Sequence, residues 1–409
     1  MPNTSLSPEL CSRIVQFVDV RHTSDLARLC TVSKVFLKEA EPRLYSQLVF
    51  GDPRRAVGAL RSVVGSERGV GKWVRVFWFV YEWGVQGTYG GQGGGGQGGG
   101  SGGQGGQGGP PPLPRGFWET VRAALKKMTG LEMLVLYDHT RMNTWVLRCS
   151  DDDAEGEGEG GEGGVFPFKL TQLRLRFRWD ANIVSFVRHQ HNLELLQVAD
   201  FVEAETEERV GVGRLERLSV VEAHVSVAGQ FLEERGSRLR NVQVLVDRGH
   251  VGVLLGRGSG SGGGAGGGGG GGGAVARLPK GLRGLSILDL PEEYAVEVLE
   301  AVSVSCPELR ALGQFPLPIL KRHKFTASLM RLHYLRCIEV DLSSWQPMPV
   351  AGAQRALAAE LKTFCPSLRW VVVWLQHTRV TWTYGQNEMW VYRVEGNQWR
   401  GGGKLWLKT

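Results

Sequence analysis

The sequence predicts an α/β chain in three parts: a small helical bundle, an irregular solenoid of strand–helix units, and a closing set of β strands. Three observations predict it. Apolar residues recur along the chain in one order: Leu, two residues, apolar, one residue, apolar. Stretches with helical apolar spacing lie between those copies. Where the interval between copies lengthens, glycine-rich sequence accounts for most of the excess.

The first part, residues 1–49, reads as three or four short helices. Ser7 suits an N-cap, and Pro8 suits the first helical position, where its missing N–H would have had no partner. Leu10, Ile14, Phe17 and Val18 form one apolar stripe. Ser24 is the predicted cap of a second helix, with Asp25 at its positive end. Val32, Phe36 and Ala40 mark a third, and Pro42 is expected to restart the chain before Leu44 and Tyr45. So small a bundle buries only a marginal core alone, and it should lean on the adjoining repeats or on a partner.

The residues Leu6, Pro8, Glu9 and Leu10, then Asp25, Leu26, Leu29, Val32, Ser33, Lys34 and Phe36, then Ala40, Glu41, Pro42, Leu44, Tyr45 and Leu48 keep one order and spacing. In that order the stretch resembles the F-box, in the version common among fungal F-box proteins with leucine-rich-repeat-like arrays. Ser7 stands where that family usually has proline, and the loop Asp19–Thr23 carries Arg21 and His22. The plainer alternative is a helical cap closing the end of a repeat array.

The second part, residues 50–378, carries the repeats. Clean copies begin at Leu131, Leu170, Leu193, Leu215, Leu239, Leu282, Leu335 and Leu368; Leu309 begins a truncated one, and Trp73 to Trp78 reads as a degenerate first copy. Uninterrupted spacing stays within the roughly 20–29 residue period of leucine-rich repeats, apart from the longer step from Leu335 to Leu368. Helices are expected around Phe117, Val121, Ala124 and Met128, from Pro291 through Val302, and around Leu357, Leu361 and Phe364. Two helices end alike, in Cys306-Pro307-Glu308-Leu309-Arg310 and Cys365-Pro366-Ser367-Leu368-Arg369. Proline stops the helix there, and the next leucine opens the strand.

Three insertions interrupt the array, at 87–113, 150–164 and 256–274, the second acidic and all glycine-rich. Such sequence buries too little apolar surface to offset its ordering entropy, so disordered loops are expected. The third part, residues 379–409, alternates aromatic and polar residues, including Trp382, Tyr384, Trp390, Tyr392, Trp399 and Trp406, and reads as an antiparallel β cap.

Composition narrows the function classes. The chain is 42% hydrophobic, with net charge +7 and a pI near 9.1, a weak push toward acidic partners. No long apolar run predicts a membrane span, and the first residues do not read as a signal peptide. Six scattered cysteines without CxxC spacing suggest free thiols, hence cytoplasm or nucleus. No catalytic constellation, cofactor loop or metal-ligand set is legible. His189 and His191 lie two apart, which on a helix places them on different faces. The run Asp151–Asp153 lacks the alternating ligands and terminal Glu of a calcium loop. The chain therefore reads as a binding protein and not as an enzyme.

The F-box resemblance implies docking to the Skp-type adaptor of a cullin–RING ubiquitin ligase. The positions carried over for that contact are Leu6, Pro8, Leu10, Ile14, Val15, Leu26, Leu29 and Phe36. The repeats would hold a protein substrate. Residues between the core leucines of a repeat strand stand on its concave face, because side chains alternate across a strand. These are Gln172, Arg174, Arg176 and Arg178, then Gln197, Arg217, Ser219, Gln243, Ser286, Glu339, Trp370, Val372 and Trp374. Basic at one end and aromatic at the other, they suit an acidic or phosphorylated segment with an apolar anchor. Two other readings stand beside this one. One is a leucine-rich-repeat scaffold without ligase docking. The other is a nucleic-acid binder, favoured by the pI and the arginine strand and opposed by the lack of RGG clusters, helix-turn-helix or zinc spacing.

Overall fold

A computed structural model describes residues 6–20, 22–81, 113–149, 166–198, 215–232, 238–246, 248–256 and 273–395, apart from 386 and 388. The glycine-rich insertions lie outside these residues except at their edges. Of those edges, Ala274 is buried at the start of a 3-10 turn, Ala274–Arg277. Trp399 and Trp406 also lie outside the described residues. The fold is mixed α/β and divides into two units, Met1–Arg178 and Trp179–Thr409.

The first unit opens with α1 (Pro8–Phe17), α2 (Thr23–Val32) and α3 (Lys34–Ser46). Ser7 caps α1 by accepting the Leu10 N–H at 3.4 Å. The second helix begins earlier than predicted: His22 holds the cap position, and Ser24 lies inside the first turn. Ser33 caps α3, accepting from Phe36 N at 3.2 Å. Pro42 does not restart the chain. It sits inside α3, which continues so that Leu44 packs on the bundle core. The lost backbone bond is outweighed by keeping that apolar face continuous.

Strands come next. β1 (Gln47–Phe50), β2 (Val76–Val80), β3 (Met133–Tyr137) and β4 (Gln172–Arg176) pair in parallel, with α4 (Pro53–Gly65) and α5 (Phe117–Leu125) between them. Leu48, Phe77, Leu134 and Leu173 stand in one register row, and all are buried. The degenerate first copy is therefore corrected by one residue in this register: its core residues are Val74, Phe77 and Phe79, not Trp73, Val76 and Trp78. A one-residue slip exchanges the two faces of a strand.

The second unit holds β5 (Leu195–Val198), β6 (Val220–His224), β7 (Asn241–Leu245), β8 (Gly284–Leu288), β9 (Ala311–Pro316), β10 (Cys337–Asp341) and β11 (Trp370–Leu375), paired in parallel in chain order. Helices α6 (Ala181–Arg188), α7 (Val225–Leu232), α8 (Val251–Leu255), α9 (Ala295–Ser305), α10 (Arg322–Leu329) and α11 (Ala351–Phe364) belong to the same unit. Strands β12 (Thr378–Tyr384) and β13 (Trp390–Glu395) then pair antiparallel. Leu196, Val221, Val242, Leu285, Leu312, Ile338 and Val371 form one buried row.

Two backbone devices recur at the strand entries. A turn places the first core residue: Leu131 N–H donates to Met128 O, Leu193 to Gln190, Leu218 to Leu215, Leu282 to Pro279, Leu309 to Cys306, Leu335 to Leu332 and Leu368 to Cys365. The next carbonyl then accepts two successive N–H groups from the following strand, as Arg283 O does from Arg310 and Ala311 at 2.8 and 2.9 Å. The first device corrects the fourth clean copy. It begins at Leu218, not Leu215, so Val221 and Ala223 are its core residues. The truncated copy has an inserted residue: Gln314 sits at φ 50° in a bulge, and Phe315 takes the core place opposite Val340.

Candidate functional site

The bundle core is Cys11, Val15, Leu26, Phe36 and Ala40, with Val18, Leu29, Cys30, Val35 and Leu44 packed on it. Helix α1 thus carries two apolar stripes. Cys11, Val15 and Val18 face the core. Leu10, Ile14 and Phe17, one residue out of phase, face outward, and Phe17 is 90% exposed. Leu6 extends the outward stripe, and Pro8 is exposed beside it. The eight residues carried over for adaptor docking therefore separate. Leu6, Pro8, Leu10 and Ile14 are exposed. Val15, Leu26 and Phe36 are buried, and Leu29 packs against the same core. A residue sealed in the core cannot meet a partner without unfolding the bundle. Phe17, and Val32 at the end of α2, are exposed apolar residues outside the carried-over set.

The predicted substrate face also divides. Arg174 and Arg176 alternate with buried Leu173 and Leu175 in β4 and stand on the other side of the sheet. Arg178 lies past the end of β4, its N–H donating to Arg141 O at 3.1 Å. Arg217 precedes β6, because that copy is shifted by three residues. Gln197, Gln243 and Trp370 are half-buried in β5, β7 and β11. Ser286, Glu339, Val372 and Trp374 are buried, so they present nothing to a partner. The arginines of β4 belong to the first unit and the tryptophans to the second.

Trp374 is closed off by a charged network. Its Nε1–H donates to Glu339 Oε2 at 3.0 Å, and the Arg379 guanidinium lies 5.8 Å from its ring centre. Arg379 donates to Glu339 Oε1 at 3.4 Å and to Glu395. Register explains the meeting: Trp374 pairs with Arg379 across β11 and β12, and Arg379 with Glu395 across β12 and β13. Burial pushes the Glu339 carboxyl above its usual 4.5, against the pull of Arg379 and the Trp374 bond. The folded state therefore favours the protonated form. That contribution is full below the unfolded pKa and is lost as pH rises through the folded one. Stability of the natural chain relative to Glu339→Gln should fall as pH rises above 4.5 and then level off. Urea titrations across that range check it, and parallel curves would contradict it.

Among the described residues, no group of three His, Cys, Asp or Glu side chains is placed to hold a metal ion. The His189 ring nitrogen Nδ1 bonds Ser185 O at 2.7 Å, within its own helix end. Burial pushes the Cys306 thiol up to about 12 and raises Cys337 and Cys365, so none of these three supplies a thiolate nucleophile. A cavity of about 270 Å³ opens among Arg248, Asp289, Leu290, Gln314 and Asp341, small beside the ~300–1,000 Å³ of typical ligand sites. No helix among the described residues is long and apolar enough to cross a membrane.

No protein-family profile matches the chain. No curated protein matches its sequence.

Proposed function

We propose that the chain is a substrate-recognition adaptor of an SCF-type cullin–RING ubiquitin ligase, in which the N-terminal bundle docks to the Skp-type subunit and a leucine-rich-repeat array holds a protein substrate. One observation carries the docking half: a stripe of Leu6, Leu10, Ile14 and Phe17 left in solvent while a second stripe of the same helix fills the core. Exposing large apolar side chains side by side on so small a bundle costs solubility, and a protein partner offsets that cost. The F-box-like order of residues gives the partner's identity. The repeated strand-entry turn and the parallel register support the leucine-rich-repeat reading. The protein performs no bond chemistry; it supplies effective concentration and orientation to the ligase.

The scaffold reading without ligase docking predicts the same repeats but no adaptor contact. Expressing the full chain with a tagged Skp-type adaptor and its cullin decides between them. Co-purification of both supports the adaptor reading; recovery of neither leaves the scaffold reading. Removing residues 1–49 is a poor control, because it also strips most of β1 from β2.

A further inference from the structure

The residue just after the first core leucine of each unit occupies one structural position, fixed by the carbonyl that accepts two N–H groups from the next strand. In the first unit two of these positions are Arg75 and Glu132. They are opposite in charge, and their side chains meet at 3.2 Å. Side chains at this position in adjacent strands are thus within reach of one another. In the second unit the series runs Glu194, Ser219, Arg240, Arg283, Arg310 and Arg336, and ends at Arg369, which follows Leu368 and donates with Trp370 to the Arg336 carbonyl. Five consecutive strands carry arginine there. Four of the five are exposed and Arg310 is half-buried. Among the described residues, none offers these five side chains a hydrogen bond or an ion pair.

Stacking like charges on neighbouring strands is unfavourable, and the pair Arg75 and Glu132 avoids it by alternating sign. Over β7 to β11 no side chain among the described residues relieves it. Among the described residues, the nearby turns add Arg238 and Lys280 against a single acid, Glu308. Neighbouring strands lie about 4.8 Å apart, so the five guanidiniums make a single file roughly 19 Å long. Beside it runs the row Asn241, Gly284, Ala311, Cys337 and Trp370, buried at Gly284, Ala311 and Cys337 and half-buried at Asn241 and Trp370, so the exposed arginines are the part of this edge that a ligand meets.

We propose that this arginine ladder binds an extended polypeptide segment bearing a run of anionic side chains, carboxylate or phosphate. Same-side residues of an extended chain recur about every 6.8 Å, so three or four acids fit the file. Arginine's planar fork suits both oxyanions in a bidentate manner. A single-stranded nucleic acid would call for a parallel row of aromatic faces, and that row holds one aromatic, Trp370. The ladder goes beyond the docking proposal, and its test involves no ligase subunit.

The test is fluorescence anisotropy on the full chain at low salt. The probes are a labelled peptide of alternating Glu and Ala, its phosphoserine–alanine counterpart, a Gln–Ala control and oligodeoxythymidine. Both anionic peptides should bind, the phosphorylated one more tightly because each phosphate carries nearly two charges. Arg283→Gln, Arg310→Gln and Arg336→Gln together should weaken binding about tenfold or more. The same triple should leave the melting temperature equal or higher, since it removes repulsion. Arg174→Gln with Arg176→Gln should change binding little. The proposal is overturned if neither anionic peptide binds, if the β4 pair loses as much as the triple, or if oligodeoxythymidine binds more tightly than both peptides.

Discussion

Truncating Leu10, Ile14 and Phe17 together to alanine is expected to weaken adaptor binding by about a hundredfold, about 2.8 kcal/mol at about 1.4 kcal/mol per decade. Interface anchors commonly cost about 2 kcal/mol or more each when truncated, and their costs do not add. The same triple should barely move the unfolding midpoint, because all three side chains are already exposed to water. Exposed substitutions usually stay within about 0.5 kcal/mol. Leu26→Ala gives the opposite pattern. Leu26 is fully buried, and its loss should cost about 2–5 kcal/mol of bundle stability through the cavity it leaves. A triple variant that melts early, or that binds the adaptor as the natural chain does, would show that this stripe is no docking face. Biolayer interferometry and a thermal melt on the same preparations read both quantities.

The second large effect lies at Arg379. It is 2% exposed and contacts both Glu339 and Glu395. Arg379→Ala strands the Glu339 carboxylate in a buried site without its cation, a change that costs about 3–5 kcal/mol in comparable pairs. In a unit of this size that is a fall in melting temperature on the order of 10 °C. Replacing both partners with apolar residues, Glu339→Leu with Arg379→Met, should recover most of the loss, since the pair's net worth over a well-packed apolar substitute is small. Equal melting of the single and double variants would show that Arg379 acts through packing alone.

Much of this architecture is legible in the sequence, and the misses have identifiable physical causes. The copies at Leu131, Leu170, Leu193, Leu239, Leu282, Leu335 and Leu368 fall in strands, because a leucine, a turn and two alternating apolar residues leave little freedom of register. The copy at Leu215 slips by three because Leu218 and Val221 repeat the same spacing, and the pattern alone does not choose between them. The first copy slips by one because Trp73 to Phe79 is apolar on both faces, and only pairing with Leu134 and Leu136 selects Phe77 and Phe79. β1 escapes notice because four residues carry too little periodicity. Helix α1 has two stripes of equal spacing, and Cys11 is a weaker hydrophobic signal than Leu10, so the sequence shows one stripe, Leu10, Ile14, Phe17 and Val18, and does not divide core-facing from outward residues. Trp374 reads as available because the sequence does not reveal that Arg379 and Glu339 seal it. The arginine ladder shows in sequence only as Leu-Arg recurring from Leu239 onward, and its meaning depends on strands becoming neighbours.

Isothermal titration of the purified full chain with the purified Skp-type adaptor tests the central claim most directly. One-to-one binding is expected, with a negative heat-capacity change from burying the Leu6–Phe17 stripe. Loss of that heat is expected in the Leu10, Ile14 and Phe17 triple. A flat titration of the natural, folded chain would contradict the adaptor function.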